Sequence, residues 1–148
     1  MILESSGTNM KYYGLIGAQS TGKTTLLNEI RATDIISGNT VYITESTRRL
    51  LQYGFQINEA GTESTQLAIL NLHMHDYINW SATADHIVSD RTVIDALVYT
   101  KYLHDNNKIS DHVLEYYERT VQDILRIYDK IFFIRPEFTI VNDGVRSI

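Results

Sequence analysis

The chain is expected to form a single α/β domain, with a mostly parallel sheet covered by helices on both faces. Three observations point there. Four short runs rich in apolar, aromatic and β-branched residues, none longer than six, punctuate the sequence. Between them lie stretches whose apolar residues recur at spacings of three and four, the pattern of helices with one buried face. Alternation of this kind builds parallel strands joined by helical crossovers, and no repeat, low-complexity tract or linker divides the chain.

Taken in order, Lys11–Ile16 is the first strand and Gly17–Thr21 a loop of small residues. From Gly22 the pattern turns helical, with Leu26, Leu27 and Ile30 on one side. A turn at Ser37-Gly38-Asn39 leads to a second strand, Val41–Thr44, and a short helix, Ser46–Tyr53. After the loop Gly54–Gly61, Thr62 caps a helix whose apolar line runs through Leu67, Leu70, Met74 and Tyr77. His86–Asp90 is a third strand ending in an acid, and Val93–Asp105 and Ser110–Tyr128 are two further helices. Lys130–Ile134 is the fourth strand, stopped by Pro136, and Glu137–Ile148 reads as a loop with a turn at Asn142-Asp143-Gly144.

At 148 residues there is room for one substantial core, and 43% hydrophobic with 21% charged residues is an ordinary globular balance. Thirteen Lys+Arg against 18 Asp+Glu leave a net charge of −5. That argues against nucleic acid or an anionic membrane surface as a partner. With no Cys there is no disulfide framework, thiolate zinc site or Cys nucleophile. No apolar run is long enough to span a bilayer, and the first ten residues lack the basic start and apolar stretch of a signal peptide. A cytoplasmic location is expected. Met1–Asn9 is polar and unpatterned, and reads as a flexible extension ahead of a domain covering residues 10–148.

Gly17-Ala18-Gln19-Ser20-Thr21-Gly22-Lys23-Thr24 fits G-x-x-x-x-G-K-[ST], and it lies between a strand and a helix, the context the motif requires. Its glycines let backbone N–H groups turn inward around phosphate oxygens, with the positive end of the following helix behind them. Gln19, Ser20, Thr21, Gly22 and Thr25 are therefore candidate phosphate contacts, Lys23 can reach the β- and γ-phosphates, and the Thr24 hydroxyl can ligate Mg²⁺. Asp90, at the end of an apolar strand, is the second candidate Mg²⁺ ligand; the alternative is an Asp that caps the next helix. Arg91 beside it suits a phosphate or carboxylate, or is a surface arginine. Glu45 ends the second strand with Arg48 three residues on. A carboxylate there can accept a proton from a substrate hydroxyl while the Arg orients the substrate, or the two simply pair.

Together these elements resemble the P-loop kinase and ATPase family that includes the nicotinamide-riboside kinase domain of the bifunctional bacterial NAD-biosynthesis protein. More distantly they resemble deoxynucleoside and nucleoside monophosphate kinases. The resemblance runs from Lys11 onward. It is carried by the phosphate loop, Thr44-Glu45-Ser46-Thr47-Arg48, Thr65-Gln66, Asp90-Arg91 with Asp95 and Tyr99, and Asn142-Asp143-Gly144-Val145-Arg146. It implies a P-loop NTPase fold, ATP and Mg²⁺ as cofactors, and γ-phosphoryl transfer to a nucleoside-like or nucleotide-like small molecule, nicotinamide riboside or a deoxynucleoside among them. By the same resemblance Glu45 is the base that activates the acceptor hydroxyl, and Arg48 and Arg91 hold the acceptor or the transferring phosphate. Gln66 reads a base or amide, and Arg146 belongs to a lid over the phosphates. Taken alone, Gln66 reads as an exposed helix amide. Relatives of this kind continue past the lid with a helix and a fifth strand in the order 2-3-1-4-5. The chain is thus expected to be a fragment or a compact variant, with an apolar fourth strand at the sheet edge where a second copy can pair or which the tail can cover.

Other signals are set aside. His73 and His75 diverge by about 200° on a helix and cannot share a metal even with Asp76, so they read as a helix-surface and a partly buried histidine in that order. Asn107-Lys108-Ile109-Ser110 lacks the acid of a guanine-reading N-K-x-D, and Val93 stands where a D-x-x-G switch starting at Asp90 needs glycine, which argues against a signalling GTPase. The rival function is an ATP-binding regulatory or interaction module without an acceptor substrate.

Overall fold

The computed structural model describes residues 9–44 and 46–136. Four strands, β1 (Lys11–Ile16), β2 (Thr40–Ile43), β3 (His86–Asp90) and β4 (Lys130–Phe133), form one sheet in the order β2-β3-β1-β4. Every pairing is parallel, with Lys11 opposite His86, Thr40 also opposite His86, and Tyr13 opposite Lys130. The helices are α1 (Lys23–Thr33), α2 (Ser46–Gln52), α3 (Glu63–Ser81), α4 (Val93–Asp105) and α5 (Asp111–Ile124). The expected α/β architecture and the order of its first four strands are therefore present.

Strand alternation divides the core. On one face Leu15 and Val88 bury against Leu27 of α1. On the other, Tyr12, Ile43 and Ile87 pack with Tyr77 and Tyr128, and Tyr12 stacks on Tyr77 at 5.9 Å between ring centroids. A third cluster, including Leu50, Ile69, Val93 and Tyr117, joins α2, α3, α4 and α5.

Local chemistry sets the boundaries. Thr62 caps α3 as expected: its hydroxyl accepts from Thr65 N–H at 3.3 Å, while its own N–H donates to Thr65 Oγ1 at 3.2 Å. Thr92 and Asp95 form the same device at the start of α4. Ser110 caps α5, so it stands just outside that helix. The end of α5 departs from expectation. The α-helix stops at Ile124 and tightens into a 3₁₀ turn, Leu125–Ile127, which turns the chain into β4.

The apolar line expected along α3 is displaced. Leu70 is buried, but Leu67, Met74 and Tyr77 are only half-buried. The buried stripe runs instead through Thr65, Gln66, Ile69, Leu70, His73 and Asp76. Periodicity in apolar residues could not find it because much of this inward face is polar. Asp76 is clamped by Arg49 of α2, whose Nη2 lies 2.7 Å from both carboxylate oxygens. β4 leaves Phe132 and Phe133 exposed at the sheet edge. Among the described residues, no helix is long and apolar enough to cross a membrane.

Candidate functional site

The loop between β1 and α1 adopts the backbone its glycines permit. Gly17 has φ +151°, and a Cβ there would sit 2.4 Å from the carbonyl oxygen of Ile134. Gly22, at φ +86°, turns the chain into α1 at Lys23. Lys23 is buried, and its Nζ donates to the carbonyls of Gly17 at 2.7 Å and Ala18 at 2.6 Å. The ammonium thus lies against the loop that would surround a phosphate.

Across the sheet, the Thr24 hydroxyl donates to Asp90 Oδ2. The other carboxylate oxygen, Asp90 Oδ1, is buried with no hydrogen-bond partner among the described residues. A hydroxyl and a carboxylate in contact, with one buried lone-pair site unmet, are hard oxygen donors that fit Mg²⁺. The helix-capping alternative for Asp90 does not hold, because Thr92 and Asp95 cap α4.

Arg91 follows with φ +100°, a left-handed backbone in a non-glycine residue, pinned by its N–H to Leu15 O at 3.0 Å. Asp95 Oδ2 accepts from Thr92 N–H at 2.9 Å. Burial raises the Asp95 carboxyl above its ordinary range, against the pull of that N–H and of Arg91 and Lys23. Gln19 Nε2 donates to Tyr99 OH, tying the phosphate loop to α4.

These groups line one cavity of about 940 Å³. Its lining includes Gln19 to Thr25 and Asp90, and also Arg48, Gln66, Ile69, His73, Arg91, Asp95 and Tyr99. The sequence candidates Gln19, Ser20, Thr21, Gly22, Lys23, Thr24, Thr25, Arg48, Gln66, Asp90 and Arg91 are therefore brought together on this one wall. Gly17 forms the base of the loop. Glu45 and Arg146 lie outside the described residues.

Two readings change. Gln66 is not an exposed amide: it is 1% exposed, and its Oε1 accepts from Thr100 Oγ1 at 3.1 Å. Nor do the histidines sit as expected: His73, read as the helix-surface one, is 6% exposed and on the cavity wall, while His75, read as partly buried, faces outward. Burial, with Arg91 and Arg49 adding to it, pushes the His73 imidazole down to about 4 despite Asp76, so it is neutral at pH 7. The signal for His73 was its seven-residue spacing from Gln66, which puts both on one helix face.

A parallel 2-3-1-4 sheet, with G-x-x-x-x-G-K-T leaving an inner strand and an acid at the tip of its neighbour, defines the P-loop NTPase fold. A profile of the AAA domain family matches residues 13–148, nearly the whole chain, and the protein belongs to that family. No curated protein matches it. Among solved structures it is similar to deoxyadenosine kinase from M. mycoides with the products dCMP and a flexible dCDP bound. The TM-score is 0.61 at 14% identity, covering 90% of this chain and 66% of that one. The chain spans just under two thirds of that kinase's length, and at this identity the likeness is one of fold.

Proposed function

We propose that the protein is an ATP- and Mg²⁺-dependent phosphotransferase acting on the hydroxyl of a nucleoside-like or nucleotide-like acceptor, with nicotinamide riboside and deoxynucleosides as the candidate classes. The observation that carries this reading is the cavity lining beyond the phosphate loop. A nucleotide switch needs only the phosphate cradle, whereas here the same cavity is also lined by the buried Gln66 and His73 of α3 and the half-buried Asp95 and Tyr99 of α4. The likeness in fold to a kinase that holds dCMP and dCDP supports an acceptor of this kind.

In this mechanism the acceptor oxygen attacks the γ-phosphorus, the bond from phosphorus to the β-phosphate oxygen breaks, and ADP leaves. The hydroxyl proton passes to the Glu45 carboxylate. Lys23 leaves its loop carbonyls to meet the β- and γ-phosphates, and Arg48 and Arg91 offset charge spreading onto the transferring group. Thr24 and Asp90 would hold Mg²⁺, which when bound neutralises phosphate charge. Arg146 would close over the phosphates and exclude water.

The test is ADP formation from Mg²⁺-ATP across nucleosides, nicotinamide riboside and nucleoside monophosphates. Acceptor-dependent ADP is the expected result. Folded, ATP-binding protein that no acceptor stimulates would instead favour the regulatory module. Glu45→Gln is expected to lower turnover about 10²-fold or more while ATP affinity stays within about twofold. Equal loss of both would make Glu45 a structural residue.

A further inference from the structure

The phosphate loop is tied from outside by two side chains of α4. Asp95 and Tyr99 are four residues apart and share one face of that helix. Asp95 Oδ2 accepts from Thr92 N–H at 2.9 Å, and the Gly17 N–H also hydrogen-bonds this carboxylate. One turn on, the Tyr99 hydroxyl accepts from Gln19 Nε2. The other polar atom of that amide, Gln19 Oε1, is buried with no hydrogen-bond partner among the described residues, so the bond to Tyr99 is what orients the carboxamide.

These ties matter because another support of the loop has to move. Lys23 Nζ binds the carbonyls of Gly17 and Ala18, and those bonds are given up when the ammonium turns to the β- and γ-phosphates. Gln19 borders the 940 Å³ cavity and also a second one of about 530 Å³, which Asp95 and Tyr99 line as well. With open space at both cavities, this stretch of the loop depends on hydrogen bonds more than on packing. An acid is also an unexpected neighbour for a polyphosphate, because its charge opposes the ligand. Burial raises the Asp95 carboxyl, while the N–H groups of Thr92 and Gly17 and the charges of Arg91 and Lys23 pull it back. The N–H groups it holds account for an acid in this position.

We propose that Asp95 and Tyr99 are positioning residues that hold the phosphate loop in shape for a polyphosphate once Lys23 has left its carbonyls. Asp95 fixes Gly17 at the base of the loop, and Tyr99 fixes Gln19 two residues on. The loop N–H groups then stay turned inward without the lysine to brace them, so less ordering has to accompany binding. Both residues act through the loop and not on the reacting atoms. This rests on ATP as the ligand of the loop, and not on the acceptor.

The experiment measures Kd by calorimetry for ATP and for inorganic tripolyphosphate, each with Mg²⁺. It uses the wild-type protein, Asp95→Asn and Tyr99→Phe, all checked for folding by thermal melting. Asp95→Asn keeps one oxygen for the Thr92 N–H, so α4 stays capped, but it puts a donor amide where the second acceptor was. Affinity is expected to fall about tenfold in Asp95→Asn and about threefold in Tyr99→Phe. The loss should be alike for both ligands, since the ties act on the phosphate loop. The sign is decisive. An acid that only lined the cavity would repel the phosphates, and its amide would bind ATP more tightly. A Kd unchanged or lowered in folded Asp95→Asn therefore overturns the proposal. So does an unchanged Kd in Tyr99→Phe, or a loss seen with ATP and not with tripolyphosphate. If Asp95→Asn does not fold, Tyr99→Phe carries the test by itself. Folded wild-type protein that binds no Mg²⁺-ATP would overturn the ATP reading beneath the proposal, whereas wild-type binding with unaltered variants overturns the proposal alone.

Discussion

Lys23→Ala is expected to lower acceptor-dependent ADP formation about 10³-fold in a protein that still folds. The size of the effect follows from the task. In phosphoryl transfer the protein does little covalent chemistry, and most of the acceleration comes from positioning and from charge opposed to the spreading negative charge of the γ-phosphoryl group. Lys23 is the buried cation on the phosphate loop. The fold should tolerate its loss because its two strongest hydrogen bonds, to Gly17 O and Ala18 O, lie beside the cavity, where water can replace the ammonium. The stability change should stay near about 1 kcal/mol. The measurement pairs ADP release with thermal melting, and wild-type turnover from folded Lys23→Ala would discard the mechanism.

The second large effect is on stability in acid. The His73 imidazole sits at about 4 in the folded protein against 6.5 when unfolded. Between those values the unfolded chain binds a proton that the folded protein refuses, so stability falls as pH drops from about 6.5 towards 4 and levels off below. Above 6.5 the group contributes no pH dependence. The loss should be about 2 kcal/mol at pH 5 and approach about 3 kcal/mol near pH 4. The charges that set this value are Asp76 on the same helix, Arg49 on α2 and Arg91 after β3. Asp95 works in the opposite direction, since its raised carboxyl takes up a proton earlier in the folded state. That contribution is common to wild type and His73→Leu and largely cancels in their difference. Urea unfolding of both proteins at pH 7 and pH 5 checks the expectation; parallel loss in the two would show that His73 is not the group responsible.

Much of the fold could be read before the structure because its boundaries are local. β1 and β3 match the expected spans, and α4 begins and ends as expected, since Gly17, Asp90 and the Thr92 cap mark their limits within a few residues. The phosphate loop is likewise a local signal. Contacts across the chain were not legible. Nothing in the spacing places the Thr24 hydroxyl on Asp90, 66 positions away, or Gln19 on Tyr99, 80 positions away. The cavity face of α3 was misread for a physical reason. Periodicity locates a buried helix face by its apolar residues, and this face carries Thr65, Gln66, His73 and Asp76. The fold places them against a polar cavity and not against a greasy core. Glu45, and Arg146 whose role comes from the family resemblance, lie outside the described residues.

The left-handed backbone at Arg91 sets two kinds of fitness against each other. Glycine would adopt φ +100° without the steric penalty that an arginine Cβ brings, a relief of about 1 kcal/mol or more. A laboratory evolution scored only on survival of heating would therefore drift toward glycine here. Its winners would be sturdier proteins with one fewer guanidinium on the cavity wall, and the assay would record the exchange as progress.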